Sequence, residues 1–207
     1  MPESAQEWYD RVSARIAEDG YGPPEWRSAP SFPLDESGAV RALERPGEEP
    51  LRGGLTVEDC PICERSQADD AHEYIYWRDD LFMLGVPFQP FALPLVTYLM
   101  PRRHADLAAL TAQEARRQGE LLVALERAAV DVLNVPRVQV ARNGEGLEHL
   151  HWGVFARPTG AGQLRGSFLV QWSSVLPSGD PVAQRADLDL VAARLMELTG
   201  GLALSGG

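Results

Sequence analysis

The chain has 207 residues, a hydrophobic fraction of 44% and a formal net charge of −11. That length suits one domain, or one domain with an extension, and the apolar content is enough to bury a core. The acidic balance excludes a non-specific nucleic-acid binder, which needs a basic footprint, and an anionic substrate would need local donors acting against the overall field. No apolar run approaches the roughly 20 residues of a membrane helix. The polar, acidic start MPESAQEWYDRVSARIAEDG is unlike a signal peptide, so a cytoplasmic location is expected.

Residues 4 to 19 read as a helix. Ser4 and Glu7 have capping-box spacing, Gly20 is a stop, and Trp8, Val12 and Ile16 form one apolar stripe. From 21 to 58 the texture changes, because Pro23, Pro24, Pro30, Pro33, Pro46 and Pro50 interrupt any long helix. So long an irregular stretch reads as an arm, a lid or a linker, and Trp26, Phe32 and Leu34 give it groups to dock with. EYIYW (73 to 77), LFMLGV (81 to 86) and LPLVTYLM (93 to 100) have the aromatic and β-branched content of strands. Thr111 with Glu114 opens a helix to about Leu133, with Leu121, Leu125, Ala128 and Val132 on one face. RVQVA (137 to 141), HLHWGVFA (149 to 156) and GSFLVQW (166 to 172) read as three more strands. A last helix spans about 182 to 198, with Leu188, Val191, Leu195 and Leu198 buried, and Gly200 and Gly201 end it. Strands and helices do not alternate in a βαβ rhythm, so the expected class is α+β: an antiparallel sheet with packed helices, preceded by an N-terminal helix and a Pro-rich arm. The expected division is residues 1–57 for that extension and 58–201 for the main domain.

Cys60 and Cys63 are the only cysteines, and they stand in one Cys-x-x-Cys. In a reducing compartment that spacing means metal or redox chemistry rather than a structural disulfide. Zinc accepts two thiolates and two imidazoles in a tetrahedron. The chain has four histidines, and His104 and His149 stand at expected strand ends, where ligands are rigidly held. The competing reading is a redox pair. Pro61 inside the motif is compatible with it, but no thioredoxin-like βαβ context surrounds it.

If His149 to Phe155 is a strand, alternation puts His149 and His151 on one face, with Leu150 and Trp152 on the other. Two imidazoles on one face can share a metal, or one can be structural and the other chemical. A neutral histidine is a competent nucleophile towards phosphorus, and a neighbouring metal site sets its orientation and tautomer. The bland alternative is that His151 is a polar residue on an exposed face.

Four segments, in this order, resemble the histidine-triad superfamily, including its galactose-1-phosphate uridylyltransferase branch: Cys-Pro-Ile-Cys at 60–63, Met-Pro-Arg-Arg-His at 100–104, Arg-Asn-Gly at 142–144 and His-Leu-His-Trp-Gly-Val-Phe at 149–155. The resemblance covers roughly residues 58 to 172. It implies one structural zinc ion on Cys60, Cys63, His104 and His149. It implies His151 as the nucleophile that takes up a nucleotidyl group, oriented by the backbone carbonyl after the first triad histidine, and Asn143 as a phosphate-holding residue. Arg102, Arg103, Arg142 and Arg157 lie near the family's site in sequence and are candidate phosphate donors, with Arg142 and Arg157 carried forward as site residues. The implied substrate is a small-molecule nucleotide conjugate, and members often pair as dimers.

The chain also departs from the pattern. The third triad position is Gly153, where hydrolases have His and the uridylyltransferase branch has Gln. Asn143 stands six residues before His149, and the short loop between them carries Glu145 and Glu148. The ribose-binding carboxylate expected after the second strand is missing from Gly85-Val86-Pro87-Phe88. Three readings therefore stand. One is a nucleotidyl hydrolase or transferase acting on an α-phosphate through a covalent His151 intermediate. Another is a divergent enzyme of a specialised pathway acting on a different substrate. The last is a zinc-stabilised binding domain without catalysis. The first is preferred, because zinc alone needs His149 but not His151.

Overall fold

A computed structural model of the chain describes residues 1–21, 34, 35, 37–43, 45–68, 71–87, 89–142 and 146–204. Much of the Pro-rich arm, with Pro23, Pro24, Trp26, Pro30, Phe32 and Pro33, lies outside the described residues, as do Phe88, Asn143 and Glu145.

The framework is an antiparallel sheet of β1 (Ile75–Arg78), β2 (Phe82–Gly85), β3 (Leu95–Pro101), β4 (Gln139–Ala141), β5 (Trp152–Ala156) and β6 (Leu202–Ala203), in the order β4-β5-β3-β2-β1-β6. The helices are α1 (Ala5–Asp19), α2 (Pro61–Gln67), α3 (Ala112–Val132), α4 (Leu169–Val175) and α5 (Pro181–Thr199). Both expected capping boxes form: Ser4 with Glu7, and Thr111 with Glu114. Each satisfies two backbone donors that a helix start otherwise leaves open.

Register decides which residues share a face. Leu84 pairs with Leu99, Leu99 with Trp152, Thr97 with Val154 and Leu95 with Ala156, so these belong to one side of the sheet. That side carries α3 and α5. Leu121, Leu125 and Ala128 of α3 and Leu188, Val191 and Leu195 of α5 are fully buried in the same core. The Trp152 indole donates to Gln118 Oε1 of α3 at 2.9 Å. Thr97, the buried polar residue of this face, is satisfied: it accepts from the Tyr76 hydroxyl at 2.7 Å and donates to the Gly85 carbonyl at 2.9 Å.

On the other side lie Gly85, Val96, Tyr98, Met100, Gly153 and Phe155, and among the described residues no long helix crosses its centre. Here α2 packs at one end through Cys60, Ile62 and Cys63 against Ile75, Met83 and Met100. At the other end α1 buries Trp8 and Val12, and the Trp8 indole donates to the Ala92 carbonyl at 2.7 Å. Between them a cleft remains.

Two expectations change. Residues 166–172 are not a strand but a 3-10 turn (Gly166–Phe168) running into α4. Leu169, Trp172, Val175 and Leu176 follow a helical period that becomes visible only beyond residue 172, and all but the half-buried Trp172 are buried. The strand at 149–156 begins at Trp152, so His149 and His151 stand in the approach to it. The last helix ends at Gly200 as expected, and the chain then adds β6. Gly201 has φ 88°, and a Cβ there would come within 2.6 Å of the Trp77 ring, so only glycine lets the chain turn back along β1. Among the described residues no helix is long and apolar enough to cross a membrane.

Candidate functional site

Cys60 is the N-cap of α2 and Pro61 its first residue, where the missing N–H costs no hydrogen bond. Pro61 therefore opens a helix, and Cys63 follows one turn later. Both cysteines are free and buried. His104 follows β3, and His149 precedes β5, the strand beside it in the sheet. A backbone bond from Leu150 N–H to the Ala105 carbonyl at 2.9 Å ties the two histidine loops together. The four side chains converge so that one ligand atom from each lies within 4.8 Å of all the others.

The donor set fits zinc. Bond lengths of about 2.3 Å to sulfur and about 2.0–2.1 Å to nitrogen put the sulfur–nitrogen edge of a tetrahedron at about 3.5–3.6 Å. Here His149 Nδ1 is 3.4 Å from both sulfurs, and His104 Nδ1 is 3.5 Å from Cys63 Sγ. His149 Nε2 donates to the Pro101 carbonyl at 2.8 Å, which leaves the lone pair on Nδ1, facing the sulfurs. Burial pushes His149 down to about 4, so it is neutral at pH 7. Burial, reinforced by Cys60, pushes the Cys63 thiol up to about 12. A thiolate forms in such a place when a cation sits beside it. These four residues make a closed Cys2His2 centre with no position left for substrate, which marks it as structural.

His151 stands next to this centre. Its Nδ1 lies 2.8 Å from the His149 carbonyl, so Nδ1–H donates there and Nε2 keeps its lone pair. The metal centre and the second imidazole are thus coupled through one residue, His149, whose ring faces the sulfurs while its carbonyl holds His151. Tyr98 meets the His151 ring edge-on, with centroids 5.8 Å apart.

Two cavities meet at His151 and Tyr98. An apolar slot of about 130 Å³ is lined by Ile62, Tyr74, Ile75, Val86, Met100 and Leu147. A larger cleft of about 930 Å³ runs the other way over Val96, Ala141, Gly153 and Phe155, towards α1 and α4.

No protein-family model matches the sequence, and no curated protein sequence matches it either. Solved structures do match. A zinc-bound histidine triad family protein from Mycobacterium smegmatis superposes with a TM-score of 0.50 over 69% of this chain and 97% of that one, at 21% identity. This chain has the histidine-triad fold. A hypothetical histidine triad nucleotide-binding protein from Sulfolobus tokodaii aligns at TM-score 0.49 and 13% identity, covering 67% of this chain and 97% of that one. A uridylyltransferase aligns at TM-score 0.47 and 19% identity, covering 67% of this chain and 45% of that one.

Within this histidine-triad fold the expected site residues separate. Cys60, Cys63, His104 and His149 come together, and His151 adjoins them. Asn143 lies outside the described residues. Arg142 is engaged by Asp106, which Arg52 also reaches at 3.4 Å, so its charge is already matched. Arg157 follows β5 while His151 precedes it, which sets them about 20 Å apart along the strand, and Arg157 donates to the Pro158 carbonyl. Arg102 donates to the Asp79 carbonyl and Arg103 is paired with Glu114. None of these arginines lines either cavity at His151.

Gly85 and Gly153 acquire a physical meaning. Gly85 and Gly153 are the cross-strand partners of Tyr98 on either side. A Cβ on Gly85 would stand 2.5 Å from Met100 Cε, and one on Gly153 would stand 2.5 Å from Phe155 Cε2. Met100 and Phe155 thus fill the space where side chains would stand, and Tyr98 lies in a row flanked by glycines. Tyr98 is the site residue that sequence reasoning missed. Strand alternation places it with Val96 and Met100, but only register sets it between two glycines and beside His151.

Proposed function

We propose that this protein is a nucleotidyl hydrolase or transferase that forms a covalent intermediate on His151. The observation that carries the reading is the fixed tautomer of His151: Nδ1 is held by the His149 carbonyl, and the ring with its free Nε2 borders both cavities. An imidazole so held is pre-oriented for attack on a phosphorus atom, with no reorganisation at the moment of reaction. The apolar slot suits a flat nucleobase, bounded by Ile62, Ile75 and Met100. The phosphate would then meet His151, with Tyr98 as the neighbouring hydroxyl donor in place of the side chain absent at Gly153. Zinc on the Cys2His2 centre supplies rigidity to this frame and no reacting group.

Residues 1–57 are read as an extension of the 58–201 domain. Asn143 remains a proposed phosphate ligand, whereas Arg142 and Arg157 would have to leave their present partners to become so. Two free thiols fit a reducing, cytoplasmic setting. The exposed edge strand β4, with Val140 39% accessible, is compatible with pairing to a second copy.

The missing carboxylate in Gly85-Val86-Pro87-Phe88 and the filled space at Gly153 favour one second reading, an enzyme of the same scaffold acting on a substrate other than a simple nucleotide conjugate. The test is turnover of a panel comprising adenosine 5′-phosphoramidate, diadenosine polyphosphates, UDP- and GDP-sugars and adenylated amines. Intact-mass detection accompanies it, on wild type and His151→Ala. A nucleotidyl adduct in wild type alone supports the proposal. Equal turnover in His151→Ala, with zinc retained, refutes it.

A further inference from the structure

We propose that a cavity beside the Cys2His2 centre, separate from both cavities at His151, binds a small molecule that carries two or more oxyanion groups, phosphate or carboxylate. The cavity measures about 420 Å³, a size ordinary for small-molecule sites. Three arginines line it, Arg78, Arg102 and Arg103, and Ser66 and Gln67 add further polar groups. Asp80 is the carboxylate that lines it among the described residues. In a chain of net charge −11 this is a local concentration of positive charge. The inference does not depend on the reading of His151.

The sheet assembles these residues from three segments. Arg78 of β1 pairs with Met83 of β2, and Met83 with Met100 of β3, so Arg78 stands on the side that carries α2. Arg102 follows the end of β3. Its N–H donates to the Leu81 carbonyl at 2.8 Å and its Nη1 to the Asp79 carbonyl at 3.2 Å, which lays the side chain across the β1–β2 turn, next in the chain to Arg78. Arg103 gives Nε and Nη2 to Glu114, and Nη2 also to the Ala109 carbonyl. Among the described residues these bonds leave Nε and Nη2 of Arg102 and Nη1 of Arg103 as donors. A guanidinium fastened at one edge offers the other to an oxyanion with little freedom left to lose.

Ile75 and Met83 line the same cavity, and both are buried in the small core that holds Cys60 and Cys63. An apolar backing lowers the local dielectric, so attraction between charges is stronger there than on an open surface. Three guanidinium groups against one carboxylate leave a surplus that a single monovalent group does not match. A ligand with two or more oxyanion groups does. The Ser66 hydroxyl donates to the Cys63 carbonyl at 3.1 Å, and Arg103 directly precedes His104, so a ligand held here spans segments that present two of the metal-binding residues.

The test uses the full, zinc-loaded chain with pyrophosphate and tricarballylate as probes. Affinity is measured by calorimetry, with melting temperature as a second reading and zinc content as a control for chelation. Arg78→Gln should weaken binding by about tenfold or more, and Arg102→Gln is the second variant should the first fail to fold. Asp80→Asn should tighten it by about threefold, a gain that damage to the fold cannot produce. His151→Ala should leave affinity within about twofold of wild type, as should Arg127→Gln, an equal loss of charge at an exposed position of α3. The tighter probe tells whether phosphate or carboxylate is the natural group. Absence of binding to wild type at millimolar probe overturns the proposal and would mean that Asp69, Asp70 and Asp80 already match the arginines. So does a loss in Arg127→Gln equal to that in Arg78→Gln, which marks diffuse attraction. Binding that survives both Arg78→Gln and Arg102→Gln but fails in His151→Ala overturns it as well, because the probe then sits at His151.

Discussion

The ring of Phe155 lies over Gly153, its Cε2 only 2.5 Å from where a Cβ on residue 153 would stand. The buried ring of Phe155 thus occupies the space that a side chain at residue 153 would need. Gly153→Gln should therefore destabilise the protein by about 1–3 kcal/mol through overpacking. Phe155→Leu, which removes the colliding ring atoms, should make Gly153→Gln cheaper in the double variant than in the wild-type background. Urea denaturation of the four proteins measures this coupling. Additive effects would show that the ring moves aside freely.

Zinc ties α2 to the loops before β5 and after β3, segments far apart in the chain. Cys63→Ser should lower zinc content below one ion per chain and lower the melting temperature. A chelator should do the same to wild type and have little further effect on the variant. Metal analysis with and without chelator decides it, and an undiminished stoichiometry in Cys63→Ser would reassign the site.

The arm is fastened to the loop that leads into His149. Gly53 N–H donates to the Gly146 carbonyl at 2.8 Å and Glu148 N–H to the Gly53 carbonyl at 3.1 Å. Gly54 beside it has φ 62°, and a Cβ there would meet Leu147 Cδ1 at 2.7 Å. Gly54→Ala combines backbone strain with that collision, for an expected cost of about 1–3 kcal/mol. Limited proteolysis should cut the variant within residues 45–57 sooner than wild type. An unchanged cleavage rate would mean the arm is held by other contacts.

Glu114 closes the capping box of α3 and is buried, while its partner Arg103 remains about half exposed. The Arg103 hydrogen bonds, against the cost of burial and with help from Thr111, hold the Glu114 carboxyl at about 2, below its ordinary 4.5. A depressed folded-state value means the stabilisation is present above about 4.5 and lost as pH falls towards 2. Glu114→Gln should cost about 1–3 kcal/mol near neutrality. The gap between variant and wild type should narrow as pH is lowered through that window, when thermal melts are compared from pH 6 to pH 2.5. A gap that widens on acidification would contradict the assignment.

What the chain's residues determined locally could be read without coordinates. Ser4 with Glu7 and Thr111 with Glu114 announce their helices, because a cap is a bond between residues three apart. The Cys-x-x-Cys pair and the spacing of the aromatic and apolar runs announce the metal centre and most of the strands. The tertiary structure alone decided the rest, since it depends on partners distant in sequence. It made 166–175 a turn and helix instead of a strand, because the helical period of that segment emerges only with Val175 and Leu176. It neutralised Arg142 with Asp106 and set Arg157 at the far end of β5 from His151. It also placed Tyr98 between Gly85 and Gly153, a relation that requires the register of three strands. Short-range bonds are written into neighbouring letters, whereas cross-strand and cross-loop contacts exist only after the chain has closed on itself.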